Sequence, residues 1–431
     1  MGIGRALCML TMVFASGDLW PVLSIGFTFR FAQLFALGAL FVLLAMAPMV
    51  KLRDFPGARW MFAYCAWVFV TLPFSLYVER SAAYAFWTLT DALIIATFAQ
   101  FFSTQQDFRA LLRLYVLSFI LLSLFGLLQF GLSLFGRDLL VTEWWIPGRL
   151  ARINGLSYEP SYYATYLIPG WVLSLYLLEK NNTVVSMRLI KACAWLTTVV
   201  LIACTSRTGW IMMFTWLAFR GSLFVWRTSL RGRISTVVAG RVGLGVAVCI
   251  VLTLALGKTV IDHADDLAFL GAGIGLFGQA SHSSDDRTNA FLWTWNVFLQ
   301  HPILGTGIGA VPVEVAAQRG AVILSLEDAK DNEGFSLVIE ILASTGLIGG
   351  ALLGMFWYSA LREFRAICRR VSESDRHALM GVFWALAWLL FAMFFNQNFL
   401  RLYIFVDIAV FVSGLVAFRR YAYSPTTPQG A

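Results

Sequence analysis

Apolar runs of about 18 or more residues recur along nearly the whole chain, and they constrain its fold more than any other feature. A run of that length matches the hydrocarbon core of a bilayer. There, each backbone N–H and C=O must find its partner within the same segment. Such runs therefore form helices rather than strands, and the expected fold is an all-α polytopic membrane protein. Hydrophobic residues make up 59% of the chain and charged residues 13%, which excludes a soluble domain.

Hydropathy places about twelve spans, near residues 5–25, 31–50, 60–78, 81–102, 112–134, 160–178, 189–205, 208–226, 241–260, 335–358, 378–396 and 400–418. The first is the weakest, broken by Gly17, Asp18 and Pro21. It lacks a small-residue cleavage site and is read as a retained helix rather than a signal peptide. No internal repeat stands out, so residues 1–431 are taken as one integral membrane domain.

Arginine and lysine set the orientation. Lys51, Arg53 and Arg59 share one connection, and Lys180, Arg188 and Lys191 another. Arg227, Arg231, Arg233 and Arg241 form a third, and Arg362, Arg365, Arg369, Arg370 and Arg376 a fourth. Arg419 and Arg420 end the last span. In a twelve-span count all of these fall on one side, which positive-inside bias makes cytoplasmic, together with both termini. The net charge of +8 is then an orientation signal and not a sign of nucleic-acid binding. The six cysteines have neither metal-ligand spacing nor the look of a disulfide framework, and no cofactor is expected.

Two long connections lie on the other face, at 135–159 and 261–334. The second holds ten acids against Arg287, Arg319 and Lys330, which suits an external loop. Within it, residues 287–300 place Phe291, Trp295 and Phe298 at i, i+4 and i+7. This pattern is expected to form an amphipathic helix lying along the membrane interface with its aromatics among the headgroups. His301 and Pro302 end the run, and a turn punctuated by Gly305, Gly307 and Gly309 follows. These residues read as structural, since the glycines lack nucleotide-fingerprint spacing.

The external face favours arginine over lysine: Arg149, Arg152, Arg207, Arg287, Arg319 and Arg401 all fall there. A guanidinium is permanently charged and its flat fork grips phosphate oxygens in pairs, so this bias suits a phosphate held beside lipid. Pro160 fits the first turn of a helix and places Glu159 at the N-terminus, where a carboxylate is favoured. Arg207 sits where the chain reverses between two spans with almost no loop, leaving a charge at the bilayer edge. Asp331, Asn332 and Glu333 lead into the tenth span. Asp91 and Asp407 lie inside apolar runs, as in a transporter, but the chain lacks the matched halves of that class.

Four motifs in order carry a resemblance. They are R-x-x-G-x-x-x-E-P-S from Arg152, S-R-T-G from Ser206, HPILGTGIG from His301 and ILASTGLIGG from Ile341. Over roughly residues 110–360 the chain resembles the O-antigen ligase and polymerase superfamily of bacterial inner-membrane glycosyltransferases.

The resemblance implies a GT-C-like helical scaffold and inverting, metal-independent transfer at the periplasmic face. The donor would be a glycan on undecaprenyl pyrophosphate. By the same resemblance Arg207 and Arg287 take the pyrophosphate, and Arg152 and Glu159 bind substrate, with Arg149 and Arg319 as further external arginines. Glu159 and Glu333 are the candidate bases. Ligases of this family usually carry a His-Asn pair ahead of the glycine of the last motif, whereas ahead of Gly346 stand Phe335 and Ser336. That departure favours a polymerase of exopolysaccharide or O-antigen repeat units. The alternatives are a ligase acting on lipid A core or protein, and a lipid-linked sugar flippase. The polymerase reading takes lipid-linked glycan as both donor and acceptor. It also admits chain-length-regulator and export proteins as partners.

Overall fold

The computed structural model describes residues 2–25, 27–46, 55–146, 148, 150–230, 280–321, 332, 334, 336–395 and 400–423. The chain forms two compact units, one of Met1–Gly209 with Arg287–Ala431 and the other of Trp210–Asp286.

Thirteen helices run through the described residues. They are α1 Gly2–Phe14, α2 Phe31–Ala45, α3 Ala58–Thr71, α4 Val78–Phe101, α5 Gln105–Leu134, α6 Pro160–Glu179, α7 Met187–Ala203, α8 Arg207–Leu230, α9 Ala280–Gln300, α10 Val311–Gln318, α11 Leu337–Cys368, α12 Glu373–Ala392 and α13 Leu402–Tyr423. Among the described residues, five segments are long and apolar enough to cross a membrane: α4, α5, α11, α12 with its 3-10 extension to Phe395, and α13 to Arg419. Eleven of the twelve expected spans overlap a described helix, the first only as far as Phe14, and five of these helices have the length and apolarity to cross a membrane. The span at 241–260 lies outside the described residues.

The first span is shorter than its apolar composition suggests. α1 ends at Phe14, and the chain turns through Gly17 into an antiparallel hairpin, β1 Val22–Ile25 with β2 Phe27–Arg30. A second hairpin, β3 Trp144–Ile146 with β4 Leu150–Ala151, lies in the connection before α6. Glycine and proline stop the helix in the first case. The hairpin then satisfies backbone groups that a helix no longer pairs.

The larger unit is built around α13, whose residues from Leu402 through Leu415 are all buried. α4, α5 and α11 pack on it, α12 packs on α6, and α1 on α2. Between helices in lipid there is no water to expel, so close van der Waals fit must hold them together. At Gly170 of α6 a Cβ would stand 2.3 Å from the ring of Phe119 on α5, so the ring occupies the space that only glycine leaves.

Polar contacts sort into two ends of this unit. At one, Arg5 pairs with Asp107 at 2.7 Å, Arg109 grips Asp375 with bonds of 3.0 and 2.9 Å, and Asn182 donates to Ser374 O at 2.7 Å. Thr104, Ser186 and Ser372 cap the helices that start there, each accepting from a backbone N–H in the first turn. Such caps are worth about 1 kcal/mol each. This is the end where the basic connections 180–191 and 362–376 gather. At the other end lie both hairpins and the motif residues.

α11 breaks at Gly346, which has φ +64° and ψ −170°. The break frees carbonyls and amides, and each finds a partner. Thr306 N donates to Ala343 O at 3.0 Å, Gly307 N to Ser344 O at 2.9 Å, and the Trp67 indole to Thr345 O at 2.9 Å. Past the break, Leu347 N donates to Pro302 O at 2.8 Å. The glycine turn therefore plugs the gap in the helix. Irregular backbone at membrane depth is tolerated only when protein satisfies it in this way.

Candidate functional site

The site starts from a buried pair of amides. Gln129 of α5 donates to Asn154 Oδ1 at 3.0 Å and to Leu139 O at 2.8 Å, while its own carbonyl accepts from Asn154 N at 3.1 Å and Gly155 N at 3.0 Å. Asn154 Nδ2 reaches Leu140 O and Ser157 O at 3.0 and 2.7 Å. Both side chains are fully buried. This network fastens the connection 139–157 to α5 and fixes what stands on it.

Arg152 is braced there. It pairs with Glu143 and donates from Nε to Thr205 Oγ1 at 3.0 Å and from Nη2 to Thr205 O at 3.4 Å. Thr205 lies between α7 and α8 at φ +52°, a strained conformation for a β-branched residue. Ser206 then caps α8, accepting from Gly209 N at 3.3 Å. Arg207 is the first residue of that helix, and it is exposed. A Cβ on Gly209 would meet Ala164 of α6 at 3.1 Å, so the S-R-T-G segment lies close against the first turns of α6. Arg152, Arg207 and the start of α6 thus share one corner.

Glu159 is the N-cap residue of α6 with Pro160 in the first turn, and Ser161 Oγ donates to Glu159 Oε2 at 2.8 Å. A line of polar groups continues from this corner. Tyr158 N donates to Asp18 Oδ1 at 2.7 Å, and Asp18 forms an ion pair with Arg401 in which both side chains are more than nine-tenths buried. The Arg401 guanidinium lies 3.7 Å from the Tyr162 ring centre. Burial pushes Arg401 down to about 10, so it stays cationic near neutrality. Among the described residues, Arg401 Nε and the Tyr403 hydroxyl are buried without a hydrogen-bond partner.

Arg30, at the end of the first hairpin, lies in the fields of Tyr84, Asp91 and Tyr403, and burial lowers its pKa. Arg80 Nη2 donates to Tyr84 OH at 3.1 Å. Tyr84 in turn abuts the glycine turn, because a Cβ on Gly309 would lie 2.9 Å from its ring.

The other expected residues divide. Arg287 stands two turns inside α9 rather than opening it, since the helix begins at Ala280; its side chain lies outside what the structure describes. Arg149, Asp331 and Glu333 lie outside the described residues. Arg319, at the C-terminus of α10, donates to Asn332 Oδ1 at 3.0 Å on an exposed surface. His301 is half exposed, with Nε2 3.8 Å from Glu314 Oε1. His301, Pro302, Gly305 and Gly307 all belong to the turn that fills the break in α11.

One expectation about α9 needs correction. Phe298 is not displayed to headgroups. With Val297 it packs against Val311, Val315 and Ala343, while Phe291, Leu292, Trp295 and Leu299 stay exposed.

Residues 192–354 match the family model described as O-antigen ligase. The match supports, for this stretch, a likeness to the O-antigen ligase and polymerase superfamily. The matched stretch runs from α7 through the break in α11 and so contains S-R-T-G, Arg287 and the glycine turn. No curated protein matches the chain.

The corner at Arg152 and Arg207 gathers the exposed and braced arginines of this end. Sequence reasoning missed much of what surrounds it. Asp18 was read only as a flaw in the first span, and Arg401 only as one external arginine among six. Arg30, Arg80, Tyr84, Tyr162 and Tyr403 were not singled out. A usable signal was present: an aspartate inside an apolar run needs a cation, and Arg401 was available.

Proposed function

We propose that the chain is a polysaccharide polymerase. It would join undecaprenyl-pyrophosphate-linked repeat units of an exopolysaccharide or O-antigen at the periplasmic face of a bacterial inner membrane. The observation that carries this reading is the corner where Arg152 is braced on Thr205 and Arg207 stands exposed two residues later.

In this reading an acceptor sugar hydroxyl attacks the donor's anomeric carbon from the face opposite the pyrophosphate. The new C–O bond forms as the bond to pyrophosphate breaks, with inversion. Negative charge grows on the leaving oxygen, and Arg207 and Arg287 stabilise it without a metal ion. The acceptor proton passes to a carboxylate, Glu159 or Glu333. Glu159 is supported by its place at the head of α6 in the same corner, where Ser161 orients it.

The ligase remains the second reading, favoured by the description of the matched family. It is disfavoured by Phe335 and Ser336 standing where a His-Asn pair is usual. Mass spectrometry of products distinguishes the two when a defined lipid-linked repeat unit is offered together with lipid A core. Lengthened lipid-linked glycan supports the polymerase. Glycan found only on the core would overturn it in favour of the ligase.

A further inference from the structure

A second basic site lies at the opposite end of the larger unit, about 20 Å along α11 from the break at Gly346. Here the start of α3, the later turns of α11 and the end of α13 enclose a cleft of about 400 Å³. Among the described residues, Arg59, Arg362 and Arg419 line it against a single carboxylate, Glu363. Glu363 is already engaged, with Arg419 Nε 3.3 Å from its Oε1. Arg59 and Arg362 are exposed.

Two further features belong to the cleft wall. α3 begins there with Gly57 as its N-cap residue; Ala58 N donates to Phe55 O at 3.0 Å and Trp60 N to Gly57 O at 2.9 Å, so the helix contributes its positive end rather than free amides. Trp60, also on the wall, has a buried indole N–H with no acceptor among the described residues.

The rim is apolar. Tyr358 and Met355 of α11 are exposed by 61% and 40%, next to the arginine-rich turns that end the helix. An aromatic and aliphatic rim beside a cationic cleft is the pattern found where a helix leaves the hydrocarbon core at headgroup level. A free anion would use the arginines and leave the rim unused. A lipid uses both.

We propose that this cleft between α3, α11 and α13 binds the phosphate headgroup of an anionic phospholipid, with Arg59 and Arg362 gripping the phosphate and the Tyr358 rim holding the acyl chains. The site is separate from the corner at Arg207, and its occupant is a bilayer lipid rather than the glycan carrier.

The test uses the full-length protein in detergent and native mass spectrometry after titration with phosphatidylglycerol, phosphatidylcholine or inorganic phosphate. Phosphatidylglycerol is expected to remain bound in preference to phosphatidylcholine. Arg59→Ala and Arg362→Ala should each lower its retention about fivefold. Arg369→Ala, an exposed arginine just beyond the cleft, should leave it unchanged. Equal retention in the cleft variants and the unaltered protein would overturn the proposal, as would equal binding of phosphatidylcholine. If inorganic phosphate raises the melting temperature and displaces no lipid, the ligand is a soluble anion and the lipid assignment fails. Comparable melting temperatures for the variants exclude misfolding as the cause of any loss.

Discussion

At the residue scale, the ion pair of Asp18 with Arg401 ties the first hairpin's approach to the head of α13. Removing one partner of a buried pair leaves a charge stranded, at a cost of about 3–5 kcal/mol. Asp18→Asn should therefore lower the melting temperature in detergent sharply. The double variant Asp18→Asn with Arg401→Met should recover part of the loss, because no charge is then left uncompensated. A double variant less stable than Asp18→Asn alone would show that the pair contributes more than mutual neutralisation. Glu159→Gln removes a proton acceptor while keeping a side-chain oxygen for Ser161. It should cut turnover by about 10²-fold or more with substrate affinity little changed, if Glu159 is the base. A variant with unaltered turnover shifts the assignment to Glu333.

At the element scale, the joint between the glycine turn and the broken α11 is a single unit. A Cβ on Gly346 would lie 2.1 Å from Ile303 O, and one on Gly305 would lie 2.3 Å from Ser344 O, both at positive φ. Gly346→Ala and Gly305→Ala should each destabilise the protein and release the turn. Limited proteolysis near residue 303 would detect that release, and no change in cleavage would contradict it. Trp67→Phe leaves Thr345 O without its donor and should cost about 1–3 kcal/mol, read as a fall in melting temperature. The long helices α4, α5, α11, α12 and α13 were legible in the sequence because bilayer thickness sets such lengths. So was the S-R-T-G reversal, where serine caps and glycine permits close packing. The break in α11 was hidden, since Gly346 stands in a run as apolar as any other and only its partner turn explains the bend. The burial of Phe298 was hidden for a similar reason. Periodicity gives the apolar face of α9 but not how much of that face α10 and α11 cover.

At the scale of the whole molecule, the positive-inside pattern predicts the basic connections at one membrane face and the motif residues at the other. In spheroplasts, a membrane-impermeant thiol reagent should label Tyr158→Cys at once and Arg369→Cys only after permeabilisation. The opposite order would invert the topology. The central claim is that arginines from separate helices hold a lipid pyrophosphate as it leaves. The most direct measurement is glycan lengthening by purified protein on defined lipid-linked repeat units, comparing the unaltered chain with Arg207→Ala and Arg287→Ala. Each variant should insert and fold normally yet lose about 10²–10³-fold in rate, the scale of a lost transition-state charge contact. Full activity in either variant would contradict the account.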